Sequence, residues 1–286
     1  MTRIDDLLPS LLEKGVITPV QPCEDQFVSP IFLEPKPDGS FRLILNLKAL
    51  NKFLTAPHFK LEDSRTAQRL MRPNCFLATL DLKDAYYLVP VAHEHRKYLR
   101  FLFRERLFEF SCLPFGLCTA PLVFTKLMKP VVASLRAKGF LSILYLDDFL
   151  VFGDTFELAV ANIAATCALL TRLGFLFSGK KCHFPPSQRC QYLGFVFDSR
   201  DLSMELPELR RTKVRCLVRR MEKRRSCTIR LFAQFLGSLS ACCAAIPYGW
   251  AYTKQFERDK FLALRRNGEN FDAVMSLPRR PRIYKW

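Results

Sequence analysis

Two carboxylates, Asp147 and Asp148, stand side by side in "GFLSILYLDDFLVFGD", between two runs of large apolar residues. Burying a charge is costly unless it is paired, so stability alone rarely puts acids in such a place. A third acid, Asp81, follows the apolar run "NCFLATL" 66 residues earlier, again at what reads as a strand end. Clustered carboxylates resist ionisation unless a hard cation compensates them, and Mg²⁺ typically takes one or two carboxylates together with substrate phosphates. Two such ions a few ångströms apart would clamp an in-line phosphoryl transfer. Each acid also has a local reading. Asp147 and Asp148 could cap a hairpin turn, and Asp81 could N-cap the helix-compatible "KDAYY", with Asp84 near its third position. Their combination in one strongly basic chain favours the metal.

The charge balance points to the partner. The 286 residues carry 44 Lys and Arg against 27 Asp and Glu, a net +17, and such an excess suits a polyanion, most often nucleic acid. From Asp201 onward the count is 19 against 8, which leaves 25 against 19 for the first 200 residues, so the last third is the electrostatic handle. No apolar run approaches the roughly 18 residues of a membrane span, and "MTRIDDLLPSLLEKG" has acids where a signal peptide has basic residues. The chain is expected to be soluble, without a membrane partner, and intracellular, in cytoplasm or nucleus. Its eleven cysteines are odd in number and dispersed, which predicts reduced, mostly buried thiols. Cys182, His183 and Cys190 lack an accompanying CxxC pair and read as structural rather than as a zinc site.

Several elements must position the acids. "SPIFLEPKPDGSFRLILNL" reads as a hairpin turning at Pro37-Asp38-Gly39, with Lys36 and Arg42 at its tip. "RKYLRFLFRERLFEFSCLPFG" reads as a second hairpin turning near Arg104 and Glu105, before a Pro114/Gly116 loop and a helix with Pro121 in its first turn. "FLSILYL" and "FLVF" are strands joined through the paired acids, "FELAVANIAATCALLTRLGF" a packed helix, and "CQYLGFVF" a returning strand. The pattern predicts an α+β fold with an antiparallel sheet. Beyond Leu206 the chain turns helical and basic. "PELRRTKVRCLVRRMEKRR" puts Val214, Leu217, Val218 and Met221 on one stripe and nine cations elsewhere, so Arg211, Arg215, Arg219 and Arg220 are its candidates for phosphate contact. Thr228 is the expected N-cap of the next helix. Residues 1–200 and 201–286 are the expected domains.

"FLATLDLKDAYY", "LPFGLCTAPLVF", "YLDD", "LGFLFSGKKCHF" and "YLGF" occur in the order and at roughly the spacing of the motifs of reverse transcriptases, and "KPDGSFRLILNLKALNK" resembles their fingers motif. The resemblance runs from about Ser29 to Phe197 and implies a right-hand polymerase fold, with fingers, a palm built on an antiparallel sheet, and a helical thumb. The "LPFGL" loop is similar to that of gypsy-like and DIRS-like retrotransposons, and the tail to the DIRS-like group.

The resemblance also implies roles. Asp81 and Asp147 would be the principal metal ligands, with the Leu82 carbonyl as a further ligand and Asp148 as a supporting acid, for two Mg²⁺ ions that Mn²⁺ can replace. Lys36 and Arg42 would grip the triphosphate, Tyr86 would stack under the sugar and exclude a ribose 2′-OH, and Phe115 and Gly116 would pack on the template base and nucleotide. Lys181, narrowly preferred to Lys180, would protonate pyrophosphate, and Leu193 and Gly194 would belong to the primer grip. Lentiviral enzymes have Gln where this chain has Phe115, so polar contacts known there do not transfer. The implied partners are an RNA template, a DNA primer or RNA–DNA hybrid, and dNTPs. RNase H and integrase or recombinase functions are expected elsewhere, because the tail after Phe271 has no room for an RNase H acidic site; the chain reads as a polyprotein fragment or a degraded copy. The competing expectations are a catalytically inactive nucleic-acid-binding module and an assembly subunit.

Overall fold

The computed structural model describes residues 3–36 and 39–277, so the expected turn at Pro37 and Asp38 lies outside the described residues. The chain forms two compact units, one of Met1–Glu62 with Ala78–Pro186, the other of Asp63–Leu77 with Ser187–Trp286.

The first unit contains α1 (Arg3–Glu13), β1 (Ile17–Pro19), β2 (Ile31–Pro35) and β3 (Phe41–Leu45). These are followed by β4 (Phe76–Lys83), β5 (Arg100–Phe103), β6 (Arg106–Phe110), α2 (Ala120–Ala137), β7 (Ser142–Tyr145) and β8 (Asp148–Gly153). It ends with α3 (Phe156–Arg172), β9 (Leu176–Phe177) and β10 (His183–Ser187). β2 and β3 form the expected hairpin, Ile31 opposite Leu45. β5 and β6 form the second, turning at Arg104 and Glu105, whose φ values of 48° and 60° make the left-handed pair that matches strand twist. β1 adds to the free edge of β6.

The central sheet has the order β10-β4-β8-β7, and β9 also pairs with β4. In α2 the buried residues Phe124, Met128, Val132 and Leu135 recur at helical spacing, and the first three share a core with Leu80, Leu82, Phe149 and Val151 of the sheet. Pro130 is tolerated inside α2 because it lies on the solvent face, where water can take the carbonyl it leaves unpaired. A second core joins Leu43, Leu45, Phe101, Phe108 and Phe110 to Leu8 and Leu11 of α1.

Side chains finish what the sheet leaves open. β7 is an edge strand, and its unpaired groups are taken by Glu62, which accepts from the Leu144 amide at 3.1 Å, and by Arg136, which donates to the Ser142 carbonyl. Glu62 and Arg136 pair with each other at 2.7 Å. On the other side, Asn162 of α3, 1% exposed, donates to the carbonyls of Leu141 at 2.8 Å and Phe152 at 2.9 Å, while Thr166 donates to its oxygen at 3.1 Å. One buried amide thus locks the base of the β7–β8 hairpin.

The second unit holds β11 (Arg189–Tyr192), β12 (Phe195–Asp198), β13 (Ser203–Glu205), α4 (Glu208–Glu222), β14 (Ser226–Thr228), α5 (Ile229–Ser240), α6 (Gly249–Arg266) and β15 (Val274–Ser276). "CQYLGFVF", expected as one strand, is instead a hairpin of β11 and β12. Its turn is Leu193 and Gly194, at φ 47° and 75°; a leucine in a left-handed position gives no local turn signal. Asp198, 3% exposed, receives Arg200 Nε at 2.8 Å and Arg189 Nη1 at 3.2 Å, and these cations, Arg200 foremost, hold its carboxyl well below the usual range. Thr228 caps α5 as expected, accepting from the Leu231 amide at 3.2 Å. Among the described residues no helix is long and apolar enough to cross a membrane.

Replacing Asn162 by Ala should take the amide donor from the buried Phe152 carbonyl and the acceptor from the Thr166 hydroxyl, while the Leu141 carbonyl keeps its bond from the Phe152 amide. The expected loss is about 2–3 kcal/mol, or roughly 5–10 °C in Tm for a unit of this size; thermal and urea unfolding of the purified variant measure it. A Tm within 2 °C of wild type would show that this amide does not support the hairpin.

Candidate active site

The three acids meet in the first unit. Asp81 lies in β4 at 6% exposure, Asp147 in the turn between β7 and β8, and Asp148 is the first residue of β8, opposite Tyr145. Leu146, at φ 55°, swings the chain so that the Asp147 carbonyl receives the Leu82 amide at 2.9 Å, tying the acidic turn to β4. Asp81 does not cap a helix. The turn Ala85–Leu88 starts from Asp84, which is left-handed at φ 52° and whose carboxylate pairs with Lys14 at 3.1 Å.

Electrostatics sets these acids apart. Burial raises the Asp147 carboxyl above its ordinary range, and the charge of Asp81 adds to that; its own backbone amide, Lys181 and Arg42 pull the other way. Asp148 is pushed up to about 7, first by burial, then by Asp147 and by a bond to the Asp81 carboxylate. Lys181 answers with its ammonium 3.1 Å from Asp81 Oδ2. Burial lowers the Lys181 pKa, but the bond to Asp81 and the charges of Asp147 and Asp148 outweigh it and raise it.

Asp147 and Asp148, whose charged forms are held back by burial and by neighbouring acids, are hard oxygen donors that suit a hard divalent cation, which relieves both penalties. Among the described residues no three His, Cys, Asp or Glu side chains close into a cage for an ion. The fit is therefore to an open site, where one or two carboxylates share the ion with substrate oxygens.

A stack of side chains lies beside the acids. Tyr86 stacks on Phe115 with ring centroids 5.3 Å apart, and Arg42 lies over the other partner of that stack, 4.2 Å from the Phe115 centroid. Tyr86 also packs on Phe124 at 5.4 Å, and its hydroxyl is pushed up to about 12 by burial and then by Asp147. Lys36 contributes to the β2–β3 tip through its backbone, donating to the Ser40 carbonyl at 2.7 Å; no side-chain bond joins it to the acids among the described residues.

Gly116 is required where it stands. It has φ 108°, and a Cβ there would come 2.2 Å from the Leu45 carbonyl oxygen. Asn51, missed in the sequence, holds this loop: its Nδ2 donates to the Gly116 carbonyl at 2.9 Å and its Oδ1 accepts from the Cys118 amide at 3.0 Å. The only signal was a polar residue after the buried Leu50 in "KALNK". Cys182 was also missed as a site residue, because in "SGKKCHF", with no accompanying CxxC pair to suggest zinc, it read as structural. Its sulfur accepts from the Asp81 amide at 3.3 Å.

In the second unit Leu193 and Gly194 form the β11–β12 turn, and the Gly194 carbonyl receives Arg210 Nη1 at 3.0 Å. Val214, Leu217, Val218 and Met221 turn toward the apolar core of this unit, as the stripe implied, and Arg215, Arg219 and Arg220 are exposed. Arg211 is partly buried and pairs with Glu205 at 3.7 Å and Glu208 at 3.5 Å, and Arg215 lies 3.9 Å from Glu208. Arg219 and Arg220 have no ion-pair partner among the described residues. Arg210 and Lys213, not singled out from the sequence, line a groove of about 580 Å³ with Gln234 and Gly237.

Comparison with known proteins agrees with this geometry. The chain is 26% identical over 182 residues to the genome polyprotein of Petunia vein clearing virus, covering 62% of this chain and 8% of that one. It is 24% identical over 199 residues to the retrovirus-related Pol polyprotein from transposon opus of Drosophila melanogaster, covering 68% and 19%. The chain thus spans less than a fifth of the length of these relatives. A foamy viral protease-reverse transcriptase solved with double-stranded DNA superposes with a TM-score of 0.75 at 18% identity, over 96% of this chain and 44% of that one. The same viral protein solved with an RNA/DNA hybrid gives 0.69 at 19% identity, over 91% and 33%. The fold is thus the right-hand polymerase fold. Residues 34–197, carrying every one of the acids and the aromatic stack beside them, match the family described as reverse transcriptase (RNA-dependent DNA polymerase), and the chain belongs to that family.

Proposed function

We propose that the chain is an RNA-directed DNA polymerase of a gypsy-like or DIRS-like retrotransposon, extending a primer 3′-OH with dNTPs on an RNA or DNA template. The observation that carries this is the convergence of the buried Asp81 of β4 with the half-buried Asp147 and Asp148 at the β7–β8 turn, the latter two raised above the usual carboxylate range. Family membership and a net charge of +17 support it.

Asp81 and Asp147 would hold the metal, with the Leu82 carbonyl and with Asp148 in support. Two Mg²⁺ ions, or Mn²⁺ in their place, would supply charge neutralisation for the transferred phosphoryl group. Arg42 and Lys36 take the triphosphate oxygens, Arg42 being kept in place by its stack on Phe115. The ammonium of Lys181, held protonated by the acids around it, is set to donate a proton to the leaving pyrophosphate. Tyr86, packed on Phe115, stacks under the sugar, and the Phe115–Gly116 loop, clamped by Asn51, carries the template base. In the second unit the Leu193–Gly194 turn is the primer grip. Arg211, Arg215, Arg219 and Arg220 face phosphates, most directly the unpaired Arg219 and Arg220, while the groove at Arg210 and Lys213 offers a further cationic contact. Residues 1–200 act as fingers and palm and 201–286 as thumb and tail.

Three outcomes follow. Asp147→Asn should cut primer extension by at least 10²–10³-fold, the scale of losing transition-state electrostatics, with hybrid binding kept. Extension by this variant within tenfold of wild type would refute the assignment, and a wild-type chain that binds hybrid yet never extends a primer would favour the inactive binding module. Tyr86→Val should lower the ratio of kcat/KM for dNTP over rNTP by about 10-fold or more, since one or two kcal/mol of steric discrimination corresponds to that factor. Tyr86→Phe should keep the ratio; an unchanged ratio in the Val variant would make Tyr86 a packing residue. Finally, each phosphate contact contributes a slope of roughly −0.7 to −0.9 in log K against log salt. Arg219→Gln with Arg220→Gln should therefore flatten the slope for primer–template by about one to two units, and an unaltered slope would move the grip elsewhere.

A further inference from the structure

β4 is paired along one side by two short strands, β9 and β10, and the chain between them, residues 178–182, turns away from the sheet. Pairing with β9 covers Leu82 and Lys83, opposite Phe177 and Leu176. Asp81 is the next residue along, and it falls opposite the interruption. Its carbonyl still receives the Ser178 amide at 2.9 Å, but its own N–H faces a turn and not a strand. That N–H is taken by Cys182 Sγ at 3.3 Å, and the same thiol lies 3.6 Å from the Asp81 carbonyl oxygen as a donor. The turn is itself braced, because the Lys181 and Cys182 amides both donate to the Ser178 carbonyl, at 2.9 and 3.0 Å. Five consecutive residues therefore hold Asp81 at three points: its carbonyl by Ser178, its amide by Cys182 and its carboxylate by Lys181.

We infer that Cys182 is a positioning residue, whose sulfur acts as the acceptor that the interrupted sheet lacks and so sets the backbone of Asp81, and with it the direction of the Asp81 carboxylate. A buried amide without an acceptor would rotate toward water, and displacements of about 1 Å at a reacting centre cost up to ~10²-fold. Sulfur suits the place. Its weak acceptor capacity and long reach bridge a gap that a ladder carbonyl would close, while its apolar body packs against the core beneath the sheet. The inference rests on the reading of Asp81 as a metal ligand.

The rival account is that Cys182 only fills space, and the two accounts order the variants oppositely. Cys182→Val keeps an apolar body and removes the acceptor; Cys182→Ser keeps an acceptor and loses apolar volume. Mn²⁺ binding to the purified chain, without nucleotide or primer, is measured by electron paramagnetic resonance, and exchange of the Asp81 amide by NMR. Positioning predicts that the Val variant weakens Mn²⁺ binding about 5–10-fold and speeds Asp81 amide exchange at least 10-fold, while the Ser variant stays within about twofold on both. Wild-type Mn²⁺ binding and exchange in Cys182→Val, or greater damage in Ser than in Val, would overturn it. Cys182→Ala, which neither overfills the site nor supplies an acceptor, replaces Val if the latter fails to fold, with the same criteria. Asp81→Asn measured alongside separates the two levels. If that variant binds Mn²⁺ as wild type does, the metal reading fails, and the Asp81 amide exchange rates alone then decide the role of Cys182.

Discussion

Mutual repulsion among the buried Asp81 and the half-buried Asp147 and Asp148 is the constraint that organises the first unit. Carboxylates that share a buried site favour separation or protonation, and Asp148, raised to about 7, registers that pressure. The fold resists it with rigid parts. The Leu82 amide ties β4 to the acidic turn, Asn162 closes the base of the hairpin that carries the turn, and the edge of that hairpin is finished by Glu62 and Arg136. Lys181 offsets part of the negative charge from a turn anchored on the same strand. Apolar packing by Phe124, Met128 and Phe149 supplies the stability against which this electrostatic strain is set.

Beside the acids the same logic appears with rings in place of charges. Phe115 packs against both Tyr86 and Arg42, so three residues from separate segments have little freedom to move singly. Their loop is fixed through its backbone: Gly116 approaches the Leu45 carbonyl too closely for any side chain, and Asn51 binds the carbonyl and amide on either side of Leu117. A site assembled this way is preorganised, since its members are ordered before a ligand arrives. The second unit distributes charge differently. Asp198 is nearly buried and consumed by Arg189 and Arg200, whereas much of the charge on α4 faces solvent and is available to a polyanion.

The sequence by itself determined the elements and the identity of the acids. The period-two run in β3, the continuous apolar run in β8, the helical spacing of Phe124, Met128 and Val132, the Thr228 cap and the apolar stripe of α4 are local properties, because backbone geometry dictates which spacing lies on one face. Asp81, Asp147 and Asp148 stood out for a related reason: their neighbours are too apolar for an idle charge. Tertiary structure alone decided the contacts that have no local signature. Asn51 acts 65 residues away on Gly116, Cys182 acts 101 residues away on Asp81, and Leu193 adopts a left-handed turn that its type disfavours. Such roles come from which backbone groups the sheet leaves unpaired, and that depends on where strands end against one another, a property of the assembled fold and not of any window of sequence.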